Sequence, residues 1–122
     1  NFNTLKNLLK CVEDKLILPE PCENSNPSWF GFMITCKDGV SKNKVVQYCE
    51  EKGVQTRMLF SGNIIRQPVF DEMRKSGEGY RVVGELTITD QVMNNSFWIG
   101  VYPGMTKEML EYMAKTIIEA VE

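Results

Sequence analysis

Arg57, Asn63, Arg66 and Gln67 surround the turn sequence Ser61-Gly62-Asn63. A guanidinium presents a planar fork of donors and the two amides add neutral ones, so this set suits a phosphate or a carboxylate. Tyr80-Arg81 is a weaker instance of the same chemistry. The same residues would serve equally as solvated loop positions, or as one half of a structural ion pair, and their types leave both readings open. The run Asp71-Glu72-Met73-Arg74-Lys75 reads as solvated surface. Adjacent carboxylates such as Glu50/Glu51 and Asp71/Glu72 do not face each other on a helix, so they form no acid/base pair.

The chain has 122 residues and no histidine. Without histidine there is no Ser-His or Cys-His nucleophile pair, no His-ligated metal, and none of the commonest general base at neutral pH. Any proton chemistry associated with this chain is therefore expected to lie elsewhere. No phosphate-binding loop, dinucleotide fingerprint or nucleophile elbow is present. The net charge of −2 predicts no nucleic-acid partner. No apolar run approaches the roughly 20 residues of a membrane span, so no membrane partner is expected either. Cys11, Cys22, Cys36 and Cys49 include no C-x-x-C pair, which makes a zinc site weak; buried, reduced cysteine is the plainer reading. A hydrophobic share of 43% supports one packed domain, expected in the cytoplasm.

The elements that must position these residues follow from periodicity. Residues 2–15 predict a helix with Leu5, Leu8, Leu9 and Val12 on one face and Cys11 also inward. The chain opens directly in this helix, which suggests a domain cut from a longer protein. Leu16-Ile17-Leu18 is a short apolar run stopped by Pro19 and Pro21. Trp29–Cys36 predicts a strand, Ser41 caps a helix through Lys52 that Gly53 ends, and Val54–Phe60 predicts a second strand. This order resembles one crossover unit and leaves the sheet's direction open. Met73–Gly79 predicts a mobile loop. Thr87 and Asp90 fit a capping box before a short helix. Phe97–Tyr102 predicts a third strand, and Thr106 caps a last helix with Leu110, Met113, Ala114, Ile117 and Val121 inward. The sum is an α+β fold: a small, mainly antiparallel sheet of about three strands with helices packed on it. Trp29, Phe30, Phe32, Phe97, Trp98 and Tyr102 are numerous for such a sheet. Either they fill the core or some of them form an exposed face that marks an interface.

Several strings are more specific than composition. They are Pro27-Ser28-Trp29-Phe30-Gly31-Phe32, Gln55 to Asn63 running into Arg66-Gln67-Pro68, Tyr80-Arg81-Val82-Val83-Gly84, and Asn94 to Gly104. In order and spacing the chain resembles the C-terminal small domain of the DegT/DnrJ/EryC1 sugar aminotransferase superfamily. The resemblance is strongest to its CDP-4-keto-6-deoxyglucose 3-dehydratase branch, and it covers essentially the whole chain.

That resemblance implies an aspartate-aminotransferase fold, with residues 1–15 as an inter-domain helix and 16–122 as the α+β body of the small domain. It implies pyridoxal or pyridoxamine phosphate and an iron–sulfur cluster in the full-length enzyme, held mainly by a large domain. It also implies a nucleotide-linked 4-keto-6-deoxy sugar as substrate, a reductase partner and a homodimer. The branch replaces the usual Schiff-base lysine with histidine in the large domain. The spacing of the four cysteines does not match close-set cluster ligands, so none is assigned to a cluster or any other metal. No catalytic residue is expected among these 122, and the isolated domain is expected to be inactive. Arg57, Asn63, Arg66 and Gln67, with Arg81 behind them, are the residues the resemblance points to for substrate contact. A sugar aminotransferase with an intact lysine is the alternative within the superfamily. A free-standing anion-binding module without catalysis is the alternative outside it.

Overall fold

Phe32, Ile34 and Cys36 are buried while Met33 is exposed and Thr35 half-buried, the two-residue alternation of a strand with one face on a core. This strand, β2 (Phe32–Cys36), is preceded by the two-residue β1 (Leu16–Ile17) and followed by β3 (Thr56–Met58) and β4 (Ser96–Ile99). In the computed structural model, which describes residues 1–122, they form one sheet of order β1-β2-β4-β3. Every pair is antiparallel. Leu16 lies opposite Cys36, Ile34 opposite Phe97, and Met58 opposite Phe97 from the other side.

β4 therefore lies between β2 and β3, which run parallel to each other without touching. The crossover suggested by the order strand, helix, strand is present, and it is split by a strand that arrives about forty residues later. The sheet has four strands where the sequence predicts about three. The extra one is the apolar run at Leu16, which pairs for only two residues before the prolines and so carries almost no strand signal.

Helices α1 (Phe2–Leu9), α2 (Lys42–Glu51) and α5 (Lys107–Val121) cover one face. Leu5 and Leu9, Val45 and Cys49, and Leu110, Ala114, Ile117 and Val121 are their buried stripes. With Phe32, Ile34, Phe97 and Ile99 from the sheet they make the core. Thr106 caps α5 by accepting from the Met109 amide at 3.3 Å. Tyr112 on α5 donates its hydroxyl to the Lys52 carbonyl at 2.8 Å, tying α5 to the end of α2.

Local departures from the expected elements have physical causes. The first helix stops at Leu9 and tightens into a 3₁₀ turn over Lys10–Val12, which lets the chain swing back so that Leu16 can pair. Cys11 falls on the outer side of that turn and is exposed, contrary to its predicted inward position. The strand expected from Trp29 begins only at Phe32. Trp29 leaves the sheet to stack on Phe2, ring centroids 4.3 Å apart, while Phe30 tilts over Trp98 at 5.1 Å. The six aromatics thus divide: Phe32 and Phe97 are in the core, whereas Phe30 and Tyr102 are exposed.

Candidate functional site

The turn after β3 begins with strained backbone. Phe60 has φ +42° and its side chain is exposed, and Gly62 has φ +59°. A Cβ on Gly62 would sit 2.4 Å from Met93 Cγ, so only glycine fits both the conformation and the space. Met93 belongs to helix α4 (Thr87–Asn95), which packs beside the turn. The Asn63 amide N–H donates to Met93 Sδ at 3.3 Å, and Lys42 Nζ donates to the Met93 carbonyl at 2.9 Å.

The side chain of Asn63 is almost fully buried, with 2% exposure. Its Nδ2 donates to Asp90 Oδ1 at 2.7 Å. Arg66 approaches the same carboxylate: Nε donates to Oδ1 at 3.3 Å and Nη2 to Oδ2 at 3.0 Å. Asp90, on α4, thus clamps two of the predicted residues. The hydrogen bond from Arg66, then that from Asn63, holds the Asp90 carboxyl below the usual carboxylate range, and Asp90 in turn raises Arg66. Gln67 donates its amide to the Ser61 carbonyl at 2.5 Å and closes the turn on itself.

Asn63, Arg66 and Gln67 are therefore brought into one turn, and Asn63 and Gln67 spend their side-chain donors on holding it. Arg57 stands on β3 opposite Trp98, and its Nη1 donates to the Thr56 carbonyl at 2.8 Å. Arg81 is exposed on the irregular segment between residues 77 and 86. No hydrogen bond or ion pair joins either arginine to the clamp.

Two residues that sequence reasoning gave other roles complete the turn. Thr87 and Asp90 do not form the predicted capping box: the N-cap position is Leu86, at φ +56°, with no side-chain cap. The Asp90 carboxylate turns instead toward Asn63 and Arg66, where a cation outcompetes a neutral backbone amide. The segment Met73–Gly79, read as a mobile loop, overlaps α3 (Asp71–Ser76), which is ended by Gly77 at φ +72°. From this helix Arg74 pairs with Asp71 and donates to the carbonyls of Ile65 and Gln67, the latter at 3.0 Å. The acidic first turn, basic last turn and following glycine were the available signal for α3. Nothing in the sequence singled out Asp90 as the partner.

A four-stranded split sheet with helices on one face, and a glycine turn clamped to a helix beside it, describe a small α+β domain. The chain belongs to the DegT/DnrJ/EryC1/StrS aminotransferase family, whose sequence profile matches residues 1–118. It is 49% identical over 121 residues to the lipopolysaccharide biosynthesis protein RfbH of Salmonella typhimurium, covering 98% of this chain and 26% of that protein. It is 42% identical over 108 residues to the dTDP-4-dehydro-2,6-dideoxy-D-glucose 3-dehydratase of Saccharopolyspora spinosa, covering 87% of this chain and 22% of that enzyme. The chain thus spans about a quarter of the length of these relatives.

Solved structures share the fold. A DegT DnrJ EryC1 StrS aminotransferase from Brucella abortus superposes with a TM-score of 0.75 at 9% identity, over 98% of this chain and 30% of that one. The E. coli GDP-4-keto-6-deoxy-D-mannose-3-dehydratase with bound hydrated PLP gives 0.69 at 18% identity, over 95% and 30%.

The cleft beside the turn does not fit a vitamin-B6 phosphate. Such a phosphate needs clustered donors and cations. The cleft, about 340 Å³ and walled by Leu59, Phe60, Ile88 and Val92, has no cationic side chain in its lining. No group of three or more Cys, Asp or Glu residues is placed to hold a metal ion. Cys11 and Cys22 are exposed, whereas Cys36 and Cys49 lie in the core, where burial pushes each thiol up to about 11. No helix is long and apolar enough to cross a membrane.

Proposed function

We propose that this chain is the C-terminal small domain of a vitamin-B6-dependent nucleotide-sugar 3-dehydratase of surface-polysaccharide synthesis. The observation that carries this reading is the 49% identity to RfbH, maintained over nearly the whole chain, together with the 42% identity to a dTDP-sugar 3-dehydratase. In this reading a nucleotide-linked 4-keto-6-deoxy sugar loses its C3 hydroxyl. Pyridoxal or pyridoxamine phosphate and an iron–sulfur cluster are held mainly by a large domain outside these 122 residues, and a reductase and a second subunit complete the enzyme. This domain's own part is to close over the sugar nucleotide, with the Ser61–Gln67 turn and the exposed guanidiniums of Arg66, Arg57 and Arg81 supplying donors.

The test is product analysis with the full-length protein, pyridoxamine phosphate, a reductase and CDP-4-keto-6-deoxyglucose. The reading expects a 3-deoxy sugar, and it expects no turnover from residues 1–122 alone. A second reading, a nucleotide-sugar aminotransferase, is favoured by membership of an aminotransferase family over residues 1–118. A 4-amino sugar formed from an amino-acid donor would establish it in place of the first. Turnover by the isolated domain would overturn the division of labour between domains.

A further inference from the structure

We propose that Asp90 is a positioning residue. Its carboxylate locks Asn63 and Arg66 together so that the outer edge of the Arg66 guanidinium faces the diphosphate of the nucleotide sugar. This rests on the reading of the turn as a substrate contact.

The geometry separates the covered partner from the presented one. The Arg66 side chain is 52% exposed, and that of Asp90 is 27% exposed. Asp90 engages the Nε and Nη2 edge of the guanidinium. Of five N–H donors, two are used; both on Nη1 and the second on Nη2 point away from the carboxylate. Asp90 Oδ1 is shared with the buried Asn63 amide, so the carboxylate cannot rotate without breaking that contact as well. Met93, one helical turn further along α4, holds the Asn63 backbone. One helix face thereby fixes both the turn and the direction of its cation, which removes rotamer freedom that an anion would otherwise have to restrict on binding.

The sign of the effect distinguishes positioning from simple charge. By Coulomb's law alone, removing a carboxylate beside a cationic contact strengthens anion binding. If Asp90 positions Arg66, removing it weakens binding instead.

The experiment uses the full-length protein with CDP-4-keto-6-deoxyglucose as substrate and CDP as a competing probe. Asp90→Ala is expected to raise KM and the CDP Kd roughly tenfold, the scale of one charge-assisted hydrogen bond, while kcat changes by less than about threefold. Asp90→Asn, which keeps the shape and one acceptor, is expected to fall between, and it carries the test if Asp90→Ala does not fold. Arg66→Ala is expected to raise KM similarly, and Arg66→Ala/Asp90→Ala to be no worse than Arg66→Ala, because the two act as one unit. If Arg66→Ala raises KM while the Asp90 variants leave it unchanged or lower it, the positioning role fails and the functional reading stands. If the unaltered protein neither turns over the sugar nor binds CDP, the functional reading fails and takes this inference with it.

Discussion

Asp90 Oδ1 accepts a 2.7 Å hydrogen bond from Asn63 Nδ2 across 27 positions of sequence, and Asn63 is almost wholly buried. The bond joins helix α4 to the turn after β3, and it is made to a carboxylate that is also ion-paired. Removing the amide strands part of that carboxylate beside a covered surface. Asn63→Ala is therefore expected to destabilise the domain by about 1–3 kcal/mol, read as a lower urea midpoint. An unchanged midpoint would mean the contact is dispensable.

Gly62 offers a second, independent probe of the same turn. Gly62→Ala would need a left-handed alanine and would push its Cβ against Met93. A loss of about 1–3 kcal/mol is expected, visible as a depressed Tm. Gly39 also has positive φ, at +88°, but nothing lies within 4 Å of an added Cβ. Gly39→Ala is thus the milder control, separating backbone strain from collision.

Acid should loosen two joints. Asp90 is held down by Arg66 and Asn63, and Glu50 by the side chain and then the backbone N–H of Thr56, both at 2.6 Å. Each folded-state pKa lies below its unfolded value, so the native state binds fewer protons. The stabilisation is complete above the unfolded pKa and disappears as pH falls through the folded one. Unfolding free energy is expected to be flat near neutrality and to drop below about pH 4. Glu50→Gln should make that drop shallower, as read from urea midpoints at a series of pH values.

The thiols should separate into two classes. Cys11 and Cys22 are exposed, whereas Cys36 and Cys49 are buried with thiols pushed to about 11. A disulfide reagent at pH 8 is expected to modify two groups quickly in the native protein and the other two only after denaturant is added. Four fast groups would mean that β2 and α2 open readily.

Helices and strands were legible wherever one face alone is buried. The α5 stripe and the Thr106 cap followed from spacing, whereas the expectation of buried cysteine holds for Cys36 and Cys49 and fails for Cys11 and Cys22, which are exposed. Pairings between distant segments were not. Leu16-Ile17 becomes a strand only because Thr35 and Cys36 lie beside it. Trp29 reads as a strand residue until Phe2, from the other end of the core, offers a ring to stack on. The candidate site divided in the same way. The turn bearing Asn63, Arg66 and Gln67 was visible as residue types in one stretch. Its anchor was not, because local pattern gives an acidic residue near a helix start the role of a cap, and Asp90 is drawn away by a cation 24 positions earlier.

The placement of β4 between β2 and β3 has a consequence for biogenesis. Residues 32–58 leave the ribosome with both flanking strands made and the strand that bridges them still untranslated. Until Ser96–Ile99 emerges, each flanking strand keeps an open edge toward the missing centre, and the apolar side chains of Phe32 and Ile34 lack Phe97 and Ile99 as neighbours. The β2–β4 and β3–β4 pairings must therefore wait for residues 96–99 to emerge, and a nascent chain stalled before residue 96 is the species most exposed to chaperones and proteases.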